Sequence, residues 1–120
     1  MKKIKLNITL ITNQEKEEYN LLGEYDKENK IITYTESNNL LTTMIIDMNN
    51  YKLIRENKDY YIEYKLIENK ETDNIIKVKD INQELKLKIK TEKFKIEENE
   101  LEIKYKIIDS NEDITYIIKF

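Results

Sequence analysis

The sequence predicts an all-β protein, a single closed antiparallel meander β-barrel of about eight to ten strands. Polar and apolar residues alternate along most of the chain, most clearly over Leu85–Lys90 and Leu101–Ile107. Side chains on a strand point to opposite faces in turn, so this alternation indicates a sheet with one dry face. Short polar turns interrupt it about every eight to twelve residues, which favours sequential pairing. The chain has no Pro to protect sheet edges, and closure into a barrel removes those edges.

The strand pattern can be followed in order along the chain. We assign it to Ile4–Leu10, Tyr19–Tyr25, Ile31–Glu36, Leu40–Met48, Tyr51–Arg55, Tyr60–Ile67, Asn74–Lys79, Leu85–Thr91, Phe94–Ile96, Leu101–Ile108 and Ile114–Phe120. The polar segments between them are expected to be turns, among them Asn13–Glu18, Asp26–Lys30, Ser37–Asn39, Asn49–Asn50, Glu56–Asp59 and Glu68–Asp73. The run from Leu40 is more continuously apolar, but its β-branched residues favour strand over helix. Gly23 lies inside a strand and predicts a bulge or a close backbone approach.

The composition argues against an enzyme. The chain has no His and no Cys, which excludes the commonest general base, thiol nucleophiles and Cys/His zinc sites. Ser37 and Ser110 both lie in predicted turns and have no His to activate them. A carboxylate-only metal site is still conceivable, but no Asp-x-Asp-x-Asp-Gly loop is present and one Gly is too few for a phosphate loop. We therefore expect no catalytic residues, no metal and no cofactor.

Length and charge restrict the partners. A chain of 120 residues is one domain by size, spanning 1–120. Its 21 cationic and 24 anionic residues are interleaved, with a net charge of −3, so no nucleic-acid partner is expected. No apolar run approaches the ~18 residues of a membrane span, and Lys5 and Asn7 interrupt the first apolar stretch, which we interpret as a strand rather than a signal peptide. We expect a cytoplasmic protein, monomeric or dimeric, with no membrane contact.

Two charged residues stand on the predicted dry face. Glu36 shares its parity with Ile32 and Tyr34, and Arg55 shares its parity with Leu53 and Tyr51. A charge that points inward must be paired or solvated. One interpretation is a structural ion pair at the end of the barrel. Another is a lumenal Arg that anchors a ligand carboxylate or phosphate, and a bulge near Gly23 or Asn49–Asn50 would instead turn these side chains outward.

The order of elements resembles the YwiB-like family over residues 4–120. Gly23-Glu24-Tyr25 and the strand through Tyr34 to Glu36 resemble the family's glycine strand and tyrosine–glutamate strand. Leu53-Ile54-Arg55 resembles its arginine strand, and Leu85–Thr91 with Leu101–Tyr105 resembles its late paired strands. These are small bacterial proteins of unassigned function, so the resemblance implies a calycin-like, lipocalin-related barrel and no activity.

The leading hypothesis is a non-enzymatic barrel that binds a small apolar or amphipathic ligand in its lumen. Its ligand-binding residues would be Arg55, Glu36, Tyr34 and Tyr51, since barrels of about eight strands can hold one small ligand. The alternative is a structural or protein-interaction domain whose barrel is filled by side chains. The nine tyrosines fit either hypothesis, because Tyr on a strand is usually ordinary packing with its hydroxyl at the rim.

Overall fold

Ten strands make up the fold in a computed structural model that describes residues 2–37 and 41–120. The strands are β1 (Lys2–Thr12), β2 (Glu15–Asp26), β3 (Ile31–Ser37), β4 (Leu41–Asp47), β5 (Lys52–Glu56), β6 (Tyr60–Lys65), β7 (Glu71–Val78), β8 (Gln83–Glu97), β9 (Glu100–Ile107) and β10 (Glu112–Lys119). Part of the turn predicted at Ser37–Asn39, and the residue Leu40 that begins the fourth predicted strand, lie outside the described residues.

The strands form a closed antiparallel barrel in which each strand pairs with its neighbours in sequence. The first and last strands close it, from Asn7 opposite Lys119 to Thr12 opposite Ile114. This confirms the predicted all-β meander barrel, at the upper end of the expected strand number. Among the described residues there is no helix long and apolar enough to cross a membrane.

Two predicted segments, Leu85–Thr91 and Phe94–Ile96, are one strand, β8. The pairing with β9 shifts between Thr91 and Lys93, so an extra residue is inserted there. A bulge of this kind reverses the parity of the following residues, which places Phe94 opposite Ile103 and toward the core. The sequence pattern changes phase for the same reason, and the prediction of two strands was wrong.

Other boundaries differ because Asn residues close tight turns. Asn13 adopts a φ of 59°, so β2 begins at Glu15, well before the predicted Tyr19. Asn69 has a φ of 65°, and β7 begins at Glu71 rather than Asn74. Asn tolerates the left-handed region better than most residues. The turn predicted at Asn49–Asn50 extends through Tyr51, whose φ is 54°.

The core is continuous and lies inside the barrel. We call the end that carries the turns at 13–14, 57–59, 79–82 and 108–111 the upper end, and the end that carries 27–30, 48–51 and 98–99 the lower end. Residues of the middle and lower barrel are sealed from solvent, including Ile32, Ile46, Leu53, Leu101 and Ile118. The middle and lower parts of the barrel are therefore filled by side chains.

The barrel wall parts at a seam between β2 and β3. The two strands pair only through Glu24–Asp26 and Ile31–Thr33, whereas β1 pairs with the full length of β2. Gly23 lies where the pairing ends. A Cβ atom at Gly23 would stand 2.8 Å from the Thr33 carbonyl oxygen and would clash with Leu6. The close approach predicted at Gly23 is confirmed, and a cavity of about 280 Å³ opens beside it, lined in part by Leu22 and Thr35.

Candidate functional site

Glu36 and Arg55 meet inside the upper half of the barrel. Glu36 on β3 lies opposite Thr42 of β4, and Arg55 on β5 lies opposite the next inward residue of β4, Met44. Residues that face each other across paired strands share one side of the sheet. Since Met44 is fully buried, Glu36 and Arg55 both point inward, as their parity predicted.

The two charges are close but not in hydrogen-bond contact. Arg55 Nη2 lies 4.0 Å from Glu36 Oε2, beyond the 2.7–2.9 Å of a charge-assisted hydrogen bond. The Glu36 side chain is 5% exposed and that of Arg55 is 22% exposed. The pair is therefore an ion pair without the bidentate geometry of a structural Arg–carboxylate bridge, and Arg55 connects it to solvent.

A group of tyrosines surrounds the pair. Tyr34, Tyr64, Tyr105 and Tyr116 are almost fully buried. The ring centroids of Tyr64 and Tyr105 lie 5.2 Å apart, although their hydroxyls do not form a hydrogen bond of standard geometry. Tyr19 and Tyr60 pack against the same core with part of each ring exposed. We call Glu36, Arg55 and these six tyrosines the interior cluster.

Several polar atoms of this region have no hydrogen-bond partner among the described residues. They are Glu36 Oε1, Arg55 Nε, the hydroxyl oxygens of Tyr34 and Tyr105, and Thr91 Oγ1, which belongs to the residue opposite Tyr105 on β8. Leaving a buried polar group unpaired costs about 1–3 kcal/mol. Such atoms are rare in folded proteins, and their concentration in one place identifies this region as the candidate site.

The electrostatics follow from burial. Burial raises the pKa of Glu36, Arg55 opposes that change, and the nearby Glu17 adds to it. Burial also raises the pKa of Tyr19 to about 12, with Glu36 and Glu17 contributing, and raises the pKa of Tyr34 and Tyr105 well above the ordinary value. Tyr19, Tyr34 and Tyr105 are therefore neutral at physiological pH and act as hydroxyl donors and acceptors.

The rim above the cluster mixes acidic and apolar side chains. Leu10 of β1 lies opposite Glu17 and Tyr116, and Glu112 lies opposite Ile107, so these residues share the inward face. Leu85 pairs with Ile76 on that face, yet it is 50% exposed. Solvent therefore reaches the inward face at the upper ends of β7 and β8.

Tyr51 does not join the other predicted site residues. It lies in the lower turn, 51% exposed, and its ring packs edge-on against Phe94 with centroids 5.2 Å apart. Its left-handed backbone breaks the alternation that would have carried its side chain inward beside Leu53. The structure thus brings together Tyr34, Glu36 and Arg55, and separates Tyr51 from them.

Sequence reasoning overlooked Tyr105, Tyr116 and Tyr64 as members of the site. Each has the parity of a core residue on its strand, which is the signal that could have found them. In the part of the chain that the structure describes, no three acidic side chains come together to hold a metal ion.

No protein-family model matches this sequence, and no curated protein gives a significant match. Among solved structures, the chain is similar to the crystal structure of the ywiB protein from Bacillus subtilis. The two superpose with a TM-score of 0.71 at 18% sequence identity, over 98% of this chain and 90% of the other. The resemblance to the YwiB-like family is thereby confirmed at the level of the fold, and this chain shares its barrel architecture with the ywiB protein.

Proposed function

We propose that this protein is a non-enzymatic binding module that holds one small amphipathic molecule in the upper lumen. The polar head of the ligand lies between Glu36 and Arg55, and its apolar part rests on the inward rim residues Leu10, Ile76 and Leu85. The unpaired buried atoms of the interior cluster carry this proposal.

The unpaired atoms define the head group. Arg55 Nε requires an acceptor, whereas Glu36 Oε1 requires a donor. The Tyr34 and Tyr105 hydroxyls can do either. A head group that both donates and accepts hydrogen bonds satisfies all of these atoms at once, which a purely apolar ligand does not.

The rim supports the apolar part of the ligand. Leu85, Ile76, Leu10 and Ile107 face the lumen, but none of them is fully buried. Burying apolar area contributes roughly 25 cal/mol per Å². A short hydrocarbon segment on these residues would therefore stabilise a complex whose head occupies the cluster.

The same features support binding rather than catalysis. The interior cluster consists of an ion pair and neutral tyrosines, with no His or Cys in the chain. We propose that the protein acts in the cytoplasm as a carrier or sensor of a small molecule.

A second candidate function is a structural or protein-interaction domain. The observation that favours it is the filling of the lower core, where Leu53, Leu66, Leu101 and Ile118 are fully buried. In that case ordered water would satisfy the polar atoms of the cluster.

Native mass spectrometry of protein purified from its own cells distinguishes the two functions. We expect a retained mass above that of the bare chain, and we expect Arg55→Met to lose it with little change in melting temperature. Lys65→Met, which removes an exposed cation from the adjacent strand β6, should retain the ligand. A bare chain, together with no thermal shift across a lipid and metabolite panel and strong destabilisation by Arg55→Met, would support the structural domain instead.

A further inference from the structure

We infer that the upper lumen selects a cationic head group that also carries an acceptor, such as an alkylammonium with a neighbouring hydroxyl, over an anionic one. This inference rests on the proposed function and names the ligand class of the same site. The juxtaposition that carries it is an excess of inward carboxylates at the upper end of a lumen lined by tyrosine rings.

The inward face of the upper barrel is acidic. Glu15 lies opposite Thr12, Glu17 opposite Leu10, and Glu112 opposite Ile107. These residues supply three carboxylates, those of Glu15 and Glu17 exposed and that of Glu112 half-buried, against the single cation of Arg55. No described Lys occupies an inward position on the upper half of these strands, because lysines such as Lys16 and Lys106 have the opposite parity.

The carboxylates are not neutralised within the fold. Glu15, Glu17 and Glu112 form no ion pair with any described residue, whereas outward acids such as Glu102 pair with lysines. The charge of Arg55 is already balanced by Glu36, whose Oε2 atom lies 4.0 Å from Arg55 Nη2. The field at the upper lumen is therefore negative, and it attracts a cation and repels an anion.

A buried group independently points to a ligand. Glu36 is 4% exposed, and its Oε1 atom has no partner among the described residues. Burial and Glu17 both raise the pKa of Glu36, against the opposing effect of Arg55. A donor that carries positive charge would relieve this unfavourable burial more than a neutral donor.

The tyrosines suit an organic cation. Tyr19, Tyr34 and Tyr116 lie close enough to Glu36 to interact with its charge, and aromatic rings attract ammonium groups by cation–π interaction. The described residues hold no cluster of three metal-ligating side chains. The recognised cation is accordingly a soft organic one rather than a metal ion.

A matched series of short amphiphiles tests the charge preference. 2-Aminooctan-1-ol, which is cationic at pH 7, octan-1-ol and octanoate are titrated below their aggregation concentrations at pH 7 by calorimetry, with backbone NMR to locate the site. We expect the cation to bind at least about tenfold more tightly than the anion. Glu36→Gln should reduce that ratio, and Glu71→Gln, an exposed acid at the lower end, should leave it unchanged.

The outcomes separate the two proposals. Tighter binding of octanoate, lost in Arg55→Met, would overturn the cation preference and leave the proposed function standing. Shifts confined to residues outside the upper lumen would overturn both proposals.

A second measurement needs no ligand. In a variant with Tyr25, Tyr51 and Tyr61 changed to Phe, fluorescence comes from the interior cluster alone, since the chain has no Trp. We expect caesium to quench this fluorescence more strongly than iodide. Equal quenching, or stronger quenching by iodide, would overturn the cation preference even if no amphiphile binds.

Discussion

Glu36 is the one carboxylate that is buried in the described part of the chain. Burial raises its pKa above the ordinary value of 4.5, and the opposing effect of Arg55 does not cancel the shift. The folded protein therefore holds the proton of Glu36 more tightly than the unfolded chain does. The stability that comes from the neutral form is fully present below about pH 4.5 and is lost as the pH rises through the folded pKa.

Glu36→Gln should reveal this linkage. The variant cannot ionise at position 36, so its free energy of unfolding relative to the wild type should improve between pH 4 and pH 7. Urea denaturation across this range measures the difference. Glu71→Gln is the control and should show a constant difference. If the free energy of unfolding of Glu36→Gln instead falls relative to the wild type as the pH approaches neutrality, Arg55 stabilises the ionised form of Glu36 more than burial disfavours it.

Lys30 is strained in the hairpin between β2 and β3. It is exposed and adopts a φ of 56°, where a side chain costs roughly 1–2 kcal/mol. Lys30→Gly removes that cost but adds freedom to the unfolded chain. We expect a net stabilisation of about 0.5–1 kcal/mol by urea denaturation. Lys27→Gly, in the same hairpin but without a positive φ, should lower the free energy of unfolding. A higher free energy of unfolding in Lys27→Gly would show that relief of a positive φ does not explain the effect at Lys30.

At the scale of elements, a side chain replaces missing backbone pairing between β6 and β7. These strands pair only through Tyr60–Ile62 and Ile76–Val78. Beyond that point, Asn74 Oδ1 accepts a hydrogen bond from the Lys65 amide at 2.8 Å. Its Nδ2 donates to the Thr72 carbonyl at 3.2 Å and to the Leu87 carbonyl at 3.4 Å. Asn74 therefore closes a gap in the wall that would otherwise expose the core.

Asn74→Leu keeps the volume and removes these bonds. We expect it to lower the free energy of unfolding by about 1–3 kcal/mol, because the Lys65 amide loses its partner. Amide hydrogen exchange at Lys65 should also become faster in Asn74→Leu than in the wild type. Asp73→Asn should cost under about 0.5 kcal/mol, because Asp73 makes only an exposed ion pair with Lys88 at 3.9 Å. Wild-type stability of Asn74→Leu would show that the gap is closed by other means.

The sequence pattern predicted strands better than it predicted their interruptions. Alternation placed Glu36 and Arg55 inward, because parity within one strand is a local property. Their meeting depends on the register of both strands against β4, which turn geometry sets and composition does not. The bulge after Thr91 and the left-handed backbone of Tyr51 are single-residue events. The alternation changes phase at the bulge but does not say whether the strand ends there, and it does not mark the turn at Tyr51.

For the molecule as a whole, closure links the two ends of the chain. The first strand pairs with the last, and Phe120 packs edge-on against Tyr25, which lies opposite Lys2. Bringing such distant segments together is slow, because the loop entropy must be lost before the contacts form. Barrel topology was predictable from short turns throughout. The interior cluster was only partly predictable from the sequence, because its members come from strands that are far apart along the chain.

A circular permutant tests whether closure limits folding. Joining Phe120 to Lys2 by a short linker and opening the chain between Lys27 and Glu28 makes the pairing of β1 with β10 local. The distant pairing left to form is the short one between β2 and β3. We expect faster refolding in stopped-flow experiments, with a small loss of stability from the opened hairpin.

The control permutant is opened between Asp109 and Ser110. There the distant pairing becomes that of β9 with β10, which runs from Glu112 to Lys119. It should refold at about the rate of the parent chain. Equal acceleration of both permutants would show that closure of β1 on β10 is not the slow step.

The seam between β2 and β3 gives the barrel an adjustable circumference. A barrel with hydrogen bonds along the full length of every strand pair has a fixed diameter, because widening it breaks those bonds. Above Gly23 this wall has a slit instead, and Leu22 beside it is 67% exposed. Widening the upper lumen at this slit breaks no hydrogen bonds between β2 and β3, whereas widening the lower barrel breaks hydrogen bonds between paired strands. Under the proposed function, the upper lumen would therefore accept ligands of different widths.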